Sequence, residues 1–259
     1  MSETNPLLSR WAAGQATLSG WLFSPDLLIA EVMASCGFDE VVVDQQHGAI
    51  GPGDLVGIFA ALAGRGATVV TRVPANDPAS IGRSLDMGAQ GIMVPMINTP
   101  GEAARAVAAC RYAPRGVRSF GPIRARMTVG SSDPTELERT ALILQVETAA
   151  GLEHVDEIVA IPGVDAIYVG PFDLGLSLGL TPNVERRPAA ESQRLAGAID
   201  AIREACARAG KVAGIFCSDG ASAKRYLDQG FRMVTVATDL DLIALHGKRE
   251  LAAARGLPG

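Results

Sequence analysis

Short runs of apolar and β-branched residues alternate along the chain with longer stretches whose apolar positions recur at helical spacing. Eight runs read as strands: Thr17–Phe23, Glu40–Asp44, Ala67–Arg72, Gly91–Pro95, Ala141–Val146, Asp165–Val169, Lys211–Phe216 and Arg232–Val236. Val41-Val42-Val43 and Thr68-Val69-Val70-Thr71 are apolar or β-branched at every position, the pattern of strands covered on both faces. The segments between are rich in Ala, Leu, Arg and Glu and predict helices, among them Thr99–Arg111 and Arg194–Ala209. Ser24-Pro25-Asp26, Asp77-Pro78 and Ser218-Asp219 mark helix starts. Gly37, Gly88, Gly210 and Gly230 mark helix ends, where a left-handed residue closes the last turn. Eight β/α units over residues 1–259 predict a single α/β domain, a (β/α)8 TIM barrel. An open doubly wound sheet is the rival. Residues 112–133 and 174–191 break the rhythm and are long for plain connections, so a functional or interfacial role is expected of them.

Composition narrows the classes. The chain carries 23 Lys+Arg against 28 Asp+Glu, a net charge of −5, which argues against a phosphate-backbone binder. Apolar residues make up 48% of it, which excludes a disordered chain. Cys36, Cys110, Cys206 and Cys217 lie far apart, with no C-x-x-C pair, so neither a zinc site nor a disulfide framework is expected. The first residues are polar, without a leader pattern, and no apolar run has membrane-spanning length. A cytoplasmic protein with no nucleic-acid or membrane partner is expected.

In such a barrel the chemistry sits at the C-terminal ends of the strands. Strand two ends in Asp44 and continues Gln45-Gln46-His47-Gly48. Strand three ends in Arg72, strand five carries Gln145 and Glu147, and strand six runs into Gly170-Pro171-Phe172-Asp173. The N-terminal ends (Glu40, Ala67, Gly91, Ala141, Lys211) are blander. Glu147 and Asp173 are hard oxygen donors that suit Mg²⁺ or Mn²⁺, or else they cap loops, with Asp173 a helix N-cap. His47 is one of three histidines and the one just past a strand end, placed for a general base or for a loop hydrogen bond. Asp86, at a helix end, either polarises an imidazole or is an exposed helix aspartate. Arg72 needs a partner, which is either Asp44 or a substrate oxyanion. None of the three lysines, Lys211, Lys224 and Lys248, projects from a strand end, so carbonyl chemistry here would need a metal rather than a Schiff base. Arg111, Arg115, Arg118, Arg124 and Arg126 form a basic loop expected at a subunit contact or a site rim. No Walker or dinucleotide-binding glycine motif is present.

Six motifs in register resemble the HpcH/HpaI family of metal-dependent 2-oxo-acid aldolases: Val43-Asp-Gln-Gln-His-Gly48, Thr71-Arg-Val-Pro74, Leu85-Asp-Met-Gly-Ala-Gln-Gly-Ile-Met-Val-Pro95, Tyr112-Ala-Pro-Arg-Gly-Val-Arg118, Gln145-Val-Glu-Thr148 and Val169-Gly-Pro-Phe-Asp-Leu174. The resemblance implies reversible cleavage of 4-hydroxy-2-oxo acids to pyruvate, or hydroxypyruvate, and an aldehyde through a metal-stabilised enolate. By matched position it implies His47 as base, Asp86 as the acid beside it, and Arg72 as oxyanion stabiliser. It further implies Glu147 and Asp173 as ligands of Mg²⁺, Mn²⁺ or Co²⁺, with Gln145, the backbone at Phe172, Asp173 and Arg72 as substrate contacts. It implies a barrel of the phosphoenolpyruvate/pyruvate type whose last helix swaps between copies, giving a homo-oligomer, a trimer or hexamer. Gln46 stands where the family's best-known members carry Glu, and Phe172 where a small residue is common. A CoA-thioester lyase of the citrate- or malyl-CoA type and a non-catalytic barrel are the competing readings.

Overall fold

A computed structural model describes residues 5–257. Eight parallel strands close in sequence order into a barrel: β1 (Thr17–Leu22), β2 (Glu40–Asp44), β3 (Thr68–Arg72), β4 (Gly91–Val94), β5 (Ala141–Val146), β6 (Ala166–Val169), β7 (Val212–Ile215) and β8 (Met233–Thr238). The predicted strands agree to within one or two residues at each end. The principal outer helices are α2 (Leu27–Ser35), α3 (Leu55–Leu62), α4 (Pro78–Asp86), α5 (Pro100–Ala109), α11 (Ala189–Ala209) and α12 (Gly220–Asp228). Short helices fill the other connections: α6 (Ala125–Val129), α7 (Pro134–Leu137), α8 (Ala149–Glu153), α9 (Val155–Val159) and α10 (Pro171–Ser177). Asp26, Asp77 and Asp219 cap α2, α4 and α12 through their carboxylates, as the helix-start signals predict. Gly37, Gly88, Gly210 and Gly230 all take positive φ.

Alternation along each strand divides the core in two. One set points outward under the helices: Val41 and Val43, Leu142 and Leu144, Ile167 and Val169 belong to the large outer cluster. The other set fills the barrel, where Val42, Val70, Met93, Ile143, Tyr168 and Met233 pack together. An additional helix, α1 (Pro6–Ala12), precedes the barrel, and its buried Leu7 and Trp11 join this inner cluster. The inner period explains the site. A step of two residues from Val42, Val70 and Ile143 reaches Asp44, Arg72 and Gln145, so all three project inward at the top of the barrel. The bottom is less bland than expected. Glu40 is fully buried there, held by the Ser19 hydroxyl, with its second carboxylate oxygen unpartnered. Burial pushes its carboxyl up to about 7.

The last helix, α13 (Asp239–Ala254), buries only its first residue, Asp239, among those described. That carboxylate accepts the backbone N–H groups of Phe23 and Ser24, tying the helix start to the loop after β1. Beyond it Leu240, Leu242, Ile243, Leu245 and Leu251 are exposed. Among the described residues no helix is long and apolar enough to cross a membrane.

Candidate active site

A cavity of about 470 Å³ opens at the C-terminal ends of the strands. His47, Arg72, Gln145, Phe172 and Asp173, from the ends of β2, β3, β5 and β6, line it together.

Arg72 is almost fully buried, and its partner is Asp44, its register neighbour on β2. Nε donates to Oδ1 at 2.8 Å and Nη2 to Oδ2 at 2.6 Å, a bidentate fork. Nη1 reaches Gln145 Oε1 at 3.5 Å, and the guanidinium lies 4.6 Å over the Trp21 ring. Of the five N–H groups of an arginine, two remain uncommitted on a residue that lines the cavity. The two readings of Arg72 are therefore compatible: Asp44 holds it, and donors are left over for an oxyanion.

His47 is exposed on the loop after β2 and makes no hydrogen bond among the described residues. The next residue must be small. A Cβ on Gly48 would lie 2.3 Å from the Asp44 carbonyl oxygen and 3.1 Å from the Phe23 backbone. That close packing fixes the turn presenting the imidazole. Gln46 is half-buried, with its side-chain oxygen buried and unpartnered.

Glu147 is 2% exposed. Its Oε1 accepts the Met96 backbone N–H at 3.0 Å, while Oε2 is buried with no hydrogen-bond partner. Met96 is the one described non-glycine residue with positive φ, at 57°, a costly conformation that aims this N–H. Burial first, then the negative charge of Asp173, pushes the Glu147 carboxyl up to about 7, against the opposing Met96 N–H and Arg72. Asp173 lies in the first turn of α10, whose N-cap is Gly170 without a side-chain cap bond. Asp173 is thus not the helix cap, and its carboxylate makes no hydrogen bond among the described residues. Two carboxylates, one with an orphaned buried oxygen, fit a hard divalent cation with positions left for substrate and water. Among the described residues no cluster of three or more His, Cys, Asp or Glu side chains is placed to hold a metal, so the protein's share would be these two.

Asp86 departs from the expectation. It ends α4 and does not line the cavity that holds His47. Its Oδ1 accepts from Arg118 Nη2 at 2.9 Å, and Arg118 stacks on Tyr112 at 4.6 Å. The carboxylate is therefore committed to the loop at 112–133, and within the chain nothing brings it to the imidazole. Two further arginines of that loop are similarly occupied. Arg115 pairs with Glu138, and Arg124 donates to the Met87 carbonyl at 2.9 Å. None of the five lines the cavity, so the loop is not its rim.

The aromatic wall of the site escapes a reading confined to polar strand ends. Trp21 and Phe216, from β1 and the end of β7, meet edge to face with ring centroids 5.3 Å apart. Their position at strand ends was the available signal, but aromatic residues there read equally as core.

The family model for HpcH/HpaI aldolase/citrate lyase matches residues 19–245. The chain belongs to that family. The membership makes it an aldolase-type lyase. The chain is 38% identical over 254 residues to a hydroxypyruvate/pyruvate aldolase of Rhizorhabdus wittichii, covering 98% of this chain and 100% of that protein. It is 35% identical over 242 residues to a 5-keto-4-deoxy-D-glucarate aldolase of Salmonella paratyphi A, covering 91% of each. Among solved structures, a HpcH/HpaI aldolase/citrate lyase family protein from Burkholderia cenocepacia superposes with a TM-score of 0.88 at 32% identity, over 97% of this chain and all of that one.

Proposed function

We propose that this family member is a divalent-metal-dependent aldolase joining pyruvate or hydroxypyruvate to an aldehyde, and cleaving the resulting 4-hydroxy-2-oxo acid. One observation carries the reading: His47, Arg72, Gln145 and Asp173 converge on one cavity, and directly behind Gly170 of its lining lies a buried carboxylate, Glu147, with an unpartnered oxygen. Relatives named hydroxypyruvate/pyruvate aldolase, 33–38% identical over 94–98% of the chain, support the donor class.

Glu147 and Asp173 would hold the cation, which supplies Lewis acidity toward the 2-oxo acid's carboxylate and keto oxygens. The chain's own residues do the rest. The uncommitted N–H groups of Arg72 face negative charge growing on the keto oxygen as the C3 proton leaves, in a site where burial strengthens them. Asp44 keeps that guanidinium from turning away. The imidazole of His47 takes the C3 proton in the synthetic direction. In cleavage it accepts the C4 hydroxyl proton while the C3–C4 bond breaks and the aldehyde leaves. Trp21 and Phe216 shield this end from water. The chemistry can be watched without an aldehyde. Pyruvate incubated in D₂O with protein and Mg²⁺, Mn²⁺ or Co²⁺ should lose its methyl proton signal, and EDTA or His47→Ala should stop the loss. Exchange that persists in His47→Ala would remove the base from its role.

The exposed leucines of α13 support a homo-oligomer built through the last helix, a trimer or a hexamer, in a cytoplasmic enzyme. Light scattering on the intact chain and on Leu242→Asp/Leu245→Asp tests it. A monomeric wild type would contradict it.

A further inference from the structure

The cavity extends beyond the groups used above. Phe172, Val184 and Tyr226 line it, and so do two arginines from separate segments. Arg187 lies between the 3-10 turn Val184–Arg186 and α11, and Arg225 lies on α12. The Thr181 carbonyl accepts from Arg187 Nε at 2.8 Å, which fixes the guanidinium while leaving both terminal nitrogens without a protein acceptor. Arg225 donates one N–H to the Ser222 hydroxyl at 2.9 Å. Neither makes an ion pair among the described residues. The carboxylates near them are engaged elsewhere. Glu191 accepts the Thr181 N–H at 2.6 Å, and Asp219 accepts the Ser222 N–H at 2.7 Å as the cap of α12. Two guanidinium forks therefore open onto one cavity, beside an apolar wall and without an ion pair to a protein carboxylate among the described residues. A planar fork with free terminal N–H groups is suited to a carboxylate or phosphate, which it binds through paired charge-assisted hydrogen bonds.

We propose that Arg187 and Arg225 recognise a distal oxyanion on the acceptor, so that the aldehyde substrate carries an anionic tail, a carboxylate or a phosphate. This rests on the aldolase reading for the identity of the acceptor. The apolar wall holds the carbon chain between the reacting carbonyl and the two arginines.

The test pairs aldehydes that differ in the tail: succinic semialdehyde against butanal, and glyceraldehyde 3-phosphate against glyceraldehyde, each with pyruvate and a divalent cation. Wild type should favour one anionic member over its neutral partner by about ten-fold or more in kcat/KM. The pair showing the preference tells carboxylate from phosphate. Arg187→Met and Arg225→Met should each cut that ratio by about ten-fold, and Arg187→Lys should restore part of it. A wild-type ratio near unity, or a ratio that both variants keep, would overturn the proposal. Calorimetric titration with succinate, glycerol 3-phosphate and glycerol reads the subsite independently of turnover. Binding of one anion but not glycerol, weakened about ten-fold in either variant, supports it even if no aldehyde reacts, in which case the aldolase reading fails alone. Equal binding by wild type and variants overturns the subsite whatever the turnover.

Discussion

Gly170→Ala probes the metal assignment without touching either proposed ligand. Gly170 has φ −95° and ψ 93°, which alanine tolerates, so the backbone need not move. The added methyl carbon would lie 2.3 Å from Glu147 Oε2, 3.0 Å from Gln145 Nε2 and 3.2 Å from Glu147 Cβ. An ordinary contact is roughly 3.4 Å or more, so Oε2 must retreat by about 1 Å, whereas the other two atoms need only a few tenths. Metal coordination tolerates about 0.2 Å. The retreat also strains the Met96 N–H bond to Oε1, a charge-assisted bond worth about 1.5–3 kcal/mol, offset in part by about 0.4–1 kcal/mol from the stiffer unfolded chain. The expected stability loss is therefore about 1–2 kcal/mol, or a few degrees in Tm for a chain of this size. The functional loss should be larger: half-saturation by Mn²⁺ raised, and kcat lowered, by about ten-fold or more. Metal titration of pyruvate release from a 4-hydroxy-2-oxo acid, with calorimetric melting alongside, reads both. A variant within about two-fold of wild type in both kinetic quantities would refute the placement of the cation at Glu147.

Three further outcomes follow from the same contacts. Glu40 holds its proton up to about pH 7 when folded and up to about 4.5 when unfolded, so the stability it contributes is complete below pH 4.5 and declines as pH rises through 7. Relative to Glu40→Gln, wild type should lose roughly 3 kcal/mol across that window in denaturant unfolding, and parallel pH curves would contradict it. Arg72→Ala strands the fully buried Asp44 carboxylate and should cost about 3–5 kcal/mol of unfolding free energy besides activity, while a loss under about 1 kcal/mol would show that Asp44 is not held by this pair. His47→Ala removes an exposed ring without hydrogen bonds, so Tm should hold within about a degree while kcat falls by about 10²–10⁴-fold with calorimetric Mn²⁺ affinity unchanged. A comparable loss of metal affinity would instead make the imidazole a ligand.

The barrel and the polar half of the site were legible because both follow from periodicity. Runs covered on both faces predict parallel strands, and a step of two along β2, β3 and β5 puts Asp44, Arg72 and Gln145 on the inner face. Local pattern stops at contacts between distant segments. Asp86 sits at a helix end in either reading, and only the chain path of residues 112–133 brings Arg118 to it. Arg187 and Arg225 are 38 positions apart, in a loop and on a helix, and each reads alone as a solvated surface charge. Trp21 and Phe216 have the composition of core, and their place on the cavity wall depends on where the barrel opens. Glu40 marked only a strand start, since its burial arises from barrel closure.

The most direct measurement of the central claim is pyruvate release from 4-hydroxy-2-oxo acids by the intact protein, before and after EDTA, then with Mg²⁺, Mn²⁺ or Co²⁺ restored. Release abolished by chelation and recovered with a divalent cation is the predicted result. Release indifferent to EDTA would remove Glu147 and Asp173 from their role, and no release under any condition would contradict the aldolase reading itself.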